Sequence, residues 1–93
     1  MKQIEKLQLI EGRFSGEEAK EILRNIFSTK IHFHEMKNFS SKERFGKEDA
    51  TAKLRIPALK KELEKVDQII QEAIQNNRHL SISSEIKLTL VEA

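Results

Sequence analysis

The 93-residue sequence contains no cysteine, no tryptophan and no tyrosine, and it has only one proline and three glycines. Without cysteine, the chain cannot form disulfide bonds, thiolate metal sites or a cysteine nucleophile. The sequence also lacks a Gly-rich phosphate loop, a Gly-x-Ser-x-Gly elbow and a His-Glu-x-x-His motif. These absences argue against an enzyme, and we expect no bound cofactor.

Long hydrophobic runs are missing as well. The first six residues, MKQIEK, include no apolar stretch of signal-peptide length, and no later segment has the length of a membrane span. We therefore expect a cytoplasmic protein without a membrane partner. The overall pattern is typical of a small bacterial protein.

The residues that are present favour a folded domain. Hydrophobic residues make up 38% of the chain and charged residues of both signs 34%, a balance unlike that of disordered chains. The length fits a single domain over residues 1–93. The net charge is only +2, although residues 28–65 carry ten basic and six acidic side chains. That basic excess is too dilute for a strong nucleic-acid binder.

The sequence predicts a β-strand near each end of the chain. Residues 79–91 alternate, with apolar side chains at the even positions 80, 82, 86, 88 and 90, Ser84 filling the gap, and polar side chains at the odd positions 81–89; this predicts one buried and one solvated face. Residues 3–14 predict the other strand, but Leu7 and Leu9 have the opposite parity to the remaining apolar residues, Ile4, Ile10 and Phe14. Either a β-bulge shifts the register or both faces are partly covered.

A first helix is predicted to begin after Ser15, because Ser15 and Glu18 have the spacing of a capping box. Apolar residues then recur three and four positions apart, at Ala19, Ile22, Leu23, Ile26, Phe27 and Ile31. The helix is expected to continue to about residue 37. Residues 38–49 are interpreted as a connector in which Ser40 and Glu43 form a second capping box and Gly46 ends the turn.

A second helix is predicted before the left-handed stop offered by Asn76 and Asn77. Its apolar stripe consists of Leu59, Leu63, Val66, Ile69, Ile70, Ala73 and Ile74. Pro57 leaves two alternatives open. It could be the first helical residue, where its missing N–H has no cost, or it could lie inside a helix that starts after Asp49.

The predicted fold is α+β with the order β-α-α-β: two long antiparallel helices packed on a small antiparallel sheet formed by the N- and C-terminal strands. Two strands cover about 10 Å, whereas two helices side by side need about 20 Å. The strand edges are also unprotected. We therefore expect a homodimer or higher homo-oligomer, joined strand to strand or helix to helix. The alternative is a monomer whose helices pack mainly on each other.

The histidines raise the possibility of a metal site. On a strand His32 and His34 would point the same way, but on a helix they diverge by about 200°. A third ligand would have to come from Glu35 or from the distant His79, and neither spacing matches a metal motif. Because the helix is favoured, we interpret these histidines as ordinary surface or helix-end residues, with metal binding as a second alternative.

The segment around residue 42 is the remaining candidate site. Phe39 and Phe45 are predicted to fold under the connector and close it, and the alternative is an exposed aromatic pair that contacts a partner. Lys42 and Arg44 lie between them, within a larger set of interrupted basic residues. We expect a non-enzymatic, self-associating protein–protein interaction module. Weak nucleic-acid binding through this basic connector is the less favoured alternative.

Overall fold

The computed structural model describes residues 4–93. Its elements are β1 (Ile4–Phe14), α1 (Gly16–Phe45), α2 (Ala50–Gln75) and β2 (Leu80–Thr89). The strands pair antiparallel into one two-stranded sheet, here called the ribbon, and the helices form an antiparallel pair, here called the helical hairpin. The predicted α+β fold is confirmed. Gln3, the first residue of the predicted strand 3–14, lies outside the described residues.

A β-bulge explains the broken alternation of the first strand. Gln8 pairs with Glu85 and Ile10 pairs with Ser84, so Leu9 is the extra residue of β1. The bulge changes the parity of the strand, and Leu7, opposite Ile86, therefore faces the same side as Ile10 and Phe14. Of the two alternatives left open by the sequence, the bulge is the one adopted.

The predicted capping box at Ser15 is confirmed. The Ser15 hydroxyl accepts a hydrogen bond from the Glu18 N–H at 3.1 Å, and the Glu18 carboxylate accepts one from the Ser15 N–H at 2.9 Å. These two bonds satisfy amide groups that the helix itself cannot pair. The first turn of α1 is therefore fixed by four residues of local sequence.

The predicted connector at residues 38–49 is wrong over most of its length. α1 runs without interruption to Phe45, so Ser40 and Glu43 lie inside a helix and form no second capping box. The helix continues because the half-buried positions 34, 38 and 41 extend its inner stripe, although their side chains are polar. Gly46 then ends it in the left-handed conformation, φ 67°, as predicted.

The connector between the helices is therefore only residues 46–49. The Asp49 carboxylate caps α2 by accepting from the Ala52 N–H at 2.8 Å, and the Asn38 side-chain oxygen accepts from the Asp49 N–H at 2.8 Å. Asn38 thus joins the last turns of α1 to the N-cap residue of α2. This contact between the two helices has no signature in the linear sequence.

Pro57 lies inside α2, as in the second alternative. It is the eighth residue of the helix, and because it has no N–H, the helical hydrogen bond to the carbonyl of Lys53 is missing. At the other end of α2, Asn77 adopts φ 52°. The predicted left-handed stop is therefore confirmed.

The tightly buried core is small and lies mainly between the helices. Its apolar side chains within residues 4–93 are Ala19, Ile31, Ala52, Leu59, Ile70 and Ala73. The predicted stripe of α2 is wrong at Ile69 and Ile74, which are exposed. At the sheet end of the hairpin the helices approach closely, because a Cβ on Gly16 would lie 2.5 Å from Ile74 Cγ1.

The ribbon extends well beyond the helical hairpin. The molecule measures 50 × 37 × 15 Å, whereas two packed helix backbones are only about 15 Å across. α1 is also longer than predicted, about 45 Å for its 30 residues. Along β2, Leu80, Ile82 and Ile86 are half-buried, whereas Leu88 and Leu90 are exposed. The ribbon therefore packs on the helices at one end and is free at the other.

Candidate interaction surface

The end of the hairpin farthest from the ribbon, residues 37–55, is called the hairpin tip. Phe39 and Phe45 are 57% and 71% exposed there, so the prediction that they close the connector is wrong. The reason is the longer helix: positions 38 and 41 face inward, and Phe39 is therefore turned away from α2. The sequence alternative of an exposed aromatic pair describes their placement.

The basic side chains of the tip are exposed and partly paired. The Glu48 carboxylate lies 3.5 Å from Lys42 Nζ and 3.8 Å from Lys53 Nζ, and all three side chains are substantially exposed. Ion pairs of this kind contribute about 0–1 kcal/mol because water screens them. Lys42 lies three residues from both Phe39 and Phe45 on α1 and shares an exposed surface with them, whereas Arg44, also exposed, is turned about 200° from Lys42.

The histidine pair lies on α1, where successive side chains turn by about 100°. His32 is exposed, whereas His34 is half-buried with its ring edge-to-face against Phe33, ring centroids 5.4 Å apart. Residues 4–93 contain no group of three His, Cys, Asp or Glu side chains placed to hold a metal ion. The two imidazoles, and the neighbouring Glu35, therefore do not converge on one point.

The third histidine lies at the opposite end of the hairpin. Hydrogen bonding to the Ser15 backbone N–H and hydroxyl lowers the pKa of Glu18, burial opposes this effect, and the charge of the nearby His79 contributes further lowering. His32 is 14 residues further along α1 than Glu18, roughly 21 Å at 1.5 Å per residue. His79 therefore cannot complete a metal site with His32 and His34.

The free end of the ribbon exposes a larger apolar surface than the hairpin tip does. Its exposed apolar residues, together with the bulge residue, are Ile4, Leu7, Leu9, Leu88, Leu90 and Val91. Where the ribbon meets the helices, an open cleft of about 250 Å³ is lined mainly by apolar side chains, namely Leu23, Val66, Ile69, Ile70, Leu80 and Ile82, with Ser81 and Ser83. One ribbon thus combines an uncovered apolar end with an unfilled apolar cleft.

The polar face of β2 carries two charges of opposite sign, Glu85 and Lys87, both exposed. They are two residues apart and therefore point to the same side. The alternation along residues 79–91 predicts that both lie on the solvated face of the strand, without indicating a role. The signal that could have identified them is their spacing, because a strand with complementary charges at i and i+2 can pair antiparallel with its own copy.

Comparison of the chain with protein-family models, curated proteins and solved structures found no match. Among the helices of residues 4–93, none combines the length and the apolar character that crossing a membrane requires. The function is therefore inferred from the surfaces described above.

Proposed function

We propose that this chain is a small, non-enzymatic module that self-associates through protein–protein contact and exists in solution as a homodimer. The observation that carries the proposal is the area left exposed. The chain exposes 7839 Å², whereas a compact monomer of 10.8 kDa exposes about 5,500 Å². The excess is about 2,300 Å² per chain.

The dimensions of the chain support the same proposal. The radius of gyration is 16.8 Å, compared with about 12 Å for a compact domain of this length. Stable obligate dimers bury roughly 1,000–2,500 Å² on each partner. The excess exposed area lies within that range, and much of it is apolar. A second copy of the chain is always available to cover this exposed area.

Sedimentation of the full chain over a concentration series tests this proposal. We expect the mass at high micromolar concentration to be twice the 10.8 kDa of the chain. Because burial of apolar area drives the association, raising the salt concentration should not dissociate the dimer. A monomer mass at high micromolar concentration would contradict the proposal.

A second candidate function is binding of single-stranded nucleic acid at the hairpin tip. It is supported by the exposed rings of Phe39 and Phe45, which lie three residues on either side of the exposed Lys42 on α1, since bases stack on such rings while lysine and arginine contact phosphates. The residues concerned are Phe39, Phe45, Lys42 and Arg44.

Fluorescence anisotropy with a labelled single strand at low salt separates the two candidates. If the tip binds nucleic acid, Lys42→Glu with Arg44→Glu should weaken binding about tenfold or more and reduce its salt dependence. The matched control, Lys60→Glu with Lys61→Glu, makes the same change of charge on α2 outside the tip. Absence of measurable binding by the unmodified chain at low salt would end this candidate.

A further inference from the structure

The two edges of the ribbon differ in how well they are protected against further pairing. β1 contains the bulge at Leu9 and Gly12 at φ 150°, and it carries four charges, Glu5, Lys6, Glu11 and Arg13. Bulges and charges are the features by which edge strands avoid pairing with other chains. β2 has ten residues, with neither glycine nor proline, and only two charges. Its regular free edge is therefore the one suited to pairing.

We propose that two copies of the chain join through the free edges of β2, antiparallel, about a two-fold axis at Ile86. The product is a continuous four-stranded sheet with the strand order β1-β2-β2-β1. This inference rests on the proposed self-association and adds to it the surface, the register and the residues that determine specificity.

The charges of β2 select this register. With the axis at Ile86, Glu85 lies directly opposite Lys87 of the second copy, and the symmetry repeats that pair. An axis at Glu85 or at Lys87 would instead place like charges opposite each other, which is destabilising. Among these neighbouring registers, only the one at Ile86 produces two attractive pairs on the solvated face.

The apolar residues fit the same register. Leu90 of the second copy comes opposite Ile82, and both side chains are on the face that is directed toward the helices. Ile82 lines the apolar cleft, next to Ile69, which is 54% exposed. Leu90 is 68% exposed in the single chain. In the dimer the free end of each ribbon therefore reaches the cleft of the other copy.

The register also lengthens the ladder beyond the end of β2. Within residues 4–93, the pairing of β2 with β1 ends where Thr89 lies opposite Ile4. Pairing with the second copy brings Ser81 opposite Val91 and extends the ladder over residues 81–91, with about ten backbone hydrogen bonds. A typical specific interface contains about the same number.

Charge reversal tests the register. We expect Glu85→Lys and Lys87→Glu each to raise the dimer dissociation constant about tenfold or more, because two attractive pairs become repulsive. The double variant restores the pairs in reverse and should come within about threefold of the unmodified chain. The matched controls, Glu11→Lys and Arg13→Glu on the same face of β1, lie opposite Ser83 and Ser81 and should leave the dissociation constant unchanged.

Cross-linking tests the axis, and the cysteine-free chain allows single thiols to be placed. Residues directly opposite each other in antiparallel strands have Cβ atoms about 4.5–5.5 Å apart, close enough for a disulfide after small adjustment. Ile86→Cys should therefore give a covalent dimer under mild oxidation. Ile10→Cys, on the same face of β1, should not.

The outcomes separate this inference from the proposed function. A dimer that is insensitive to the charge reversals and does not cross-link at residue 86 overturns pairing through β2 and leaves self-association standing. A chain that is monomeric at high micromolar concentration overturns both. A dimer that cross-links at residue 86 and is restored by the double reversal supports both.

Discussion

The helical hairpin and the ribbon meet at Ser15, yet they differ in where their interaction partners are. Most residues of the hairpin core, such as Leu59 and Ala52, are buried by the neighbouring helix, and Asn38 and Asp49 join the helices at the tip. Within residues 4–93, the ribbon has one pair of strands, two open edges and an exposed apolar end. The hairpin is therefore stabilised within one chain, whereas in the proposed dimer the ribbon depends on a second chain for part of its stability.

Removing a core side chain of the hairpin should have the largest effect on folding. Leu59 is buried, and Leu59→Ala is expected to lower the free energy of unfolding by about 2–5 kcal/mol, the range for a large-to-small change in a core. Urea denaturation measures this change. Leu54→Ala is the matched control on the same helix, because Leu54 is 76% exposed, and it should stay within about 0.5 kcal/mol. Equal effects would contradict the placement of the core.

The proline inside α2 allows a substitution that should raise the free energy of unfolding. Pro57→Ala restores the missing N–H, and proline is about 3 kcal/mol less favourable than alanine inside a helix. We expect the free energy of unfolding to rise by up to that amount, while the dimer dissociation constant stays unchanged because Pro57 is far from the ribbon. A weaker dimer in this variant would show that hairpin and ribbon are not separable.

The hydrogen bond between Asn38 and Asp49 at the hairpin tip should contribute less to the free energy of unfolding. Asn38→Ala leaves the half-buried Asp49 N–H without its side-chain acceptor, which we expect to cost about 1–2 kcal/mol. Thermal unfolding at a fixed protein concentration measures the loss. Asn25→Ala serves as control, because Asn25 is an exposed asparagine of the same helix. The account fails here if the two variants lose the same stability.

The smallest expected effect on the free energy of unfolding comes from Glu18, where the ribbon joins the hairpin, and this effect depends on pH. The pKa of Glu18 is lowered in the folded chain, so its carboxylate stabilises the fold at higher pH, and this contribution is lost as the pH falls below about 4.5 and through the folded pKa. Glu18→Gln should remove that part of the acid dependence. Glu17→Gln is the control, since it deletes a charge in the same turn outside the capping box. Unfolding curves from pH 6 to 3 should therefore converge for the unmodified chain and Glu18→Gln at the acidic end.

Local signals in the sequence were sufficient for much of the fold. The capping box at Ser15, the stop at Asn77 and the alternation of the second strand depend on residues within a few positions of each other. The connector was not predictable in this way. Ser40 and Glu43 have the spacing of a capping box, but the helix continues through them because packing against α2 outweighs a local preference.

The candidate surface was predictable only in part. The mismatch in width between strands and helices predicts self-association, which stays a prediction, and the alternation places Glu85 and Lys87 on one face. The bulge in β1, which distinguishes the two edges, remained one of two alternatives until the pairing with β2 was known. The exposure of Phe39 and Phe45 was missed because it depends on how far α1 extends.

Hydrogen exchange of the ribbon amides tests the central claim most directly. Successive residues of a strand direct their N–H groups alternately to the two sides, so a strand with one neighbour protects only every second amide. We predict slow exchange at consecutive residues of β2 from about Ser83 to Thr89, and alternating protection along β1, at concentrations where the chain is dimeric. Alternating protection in both strands would contradict pairing through β2.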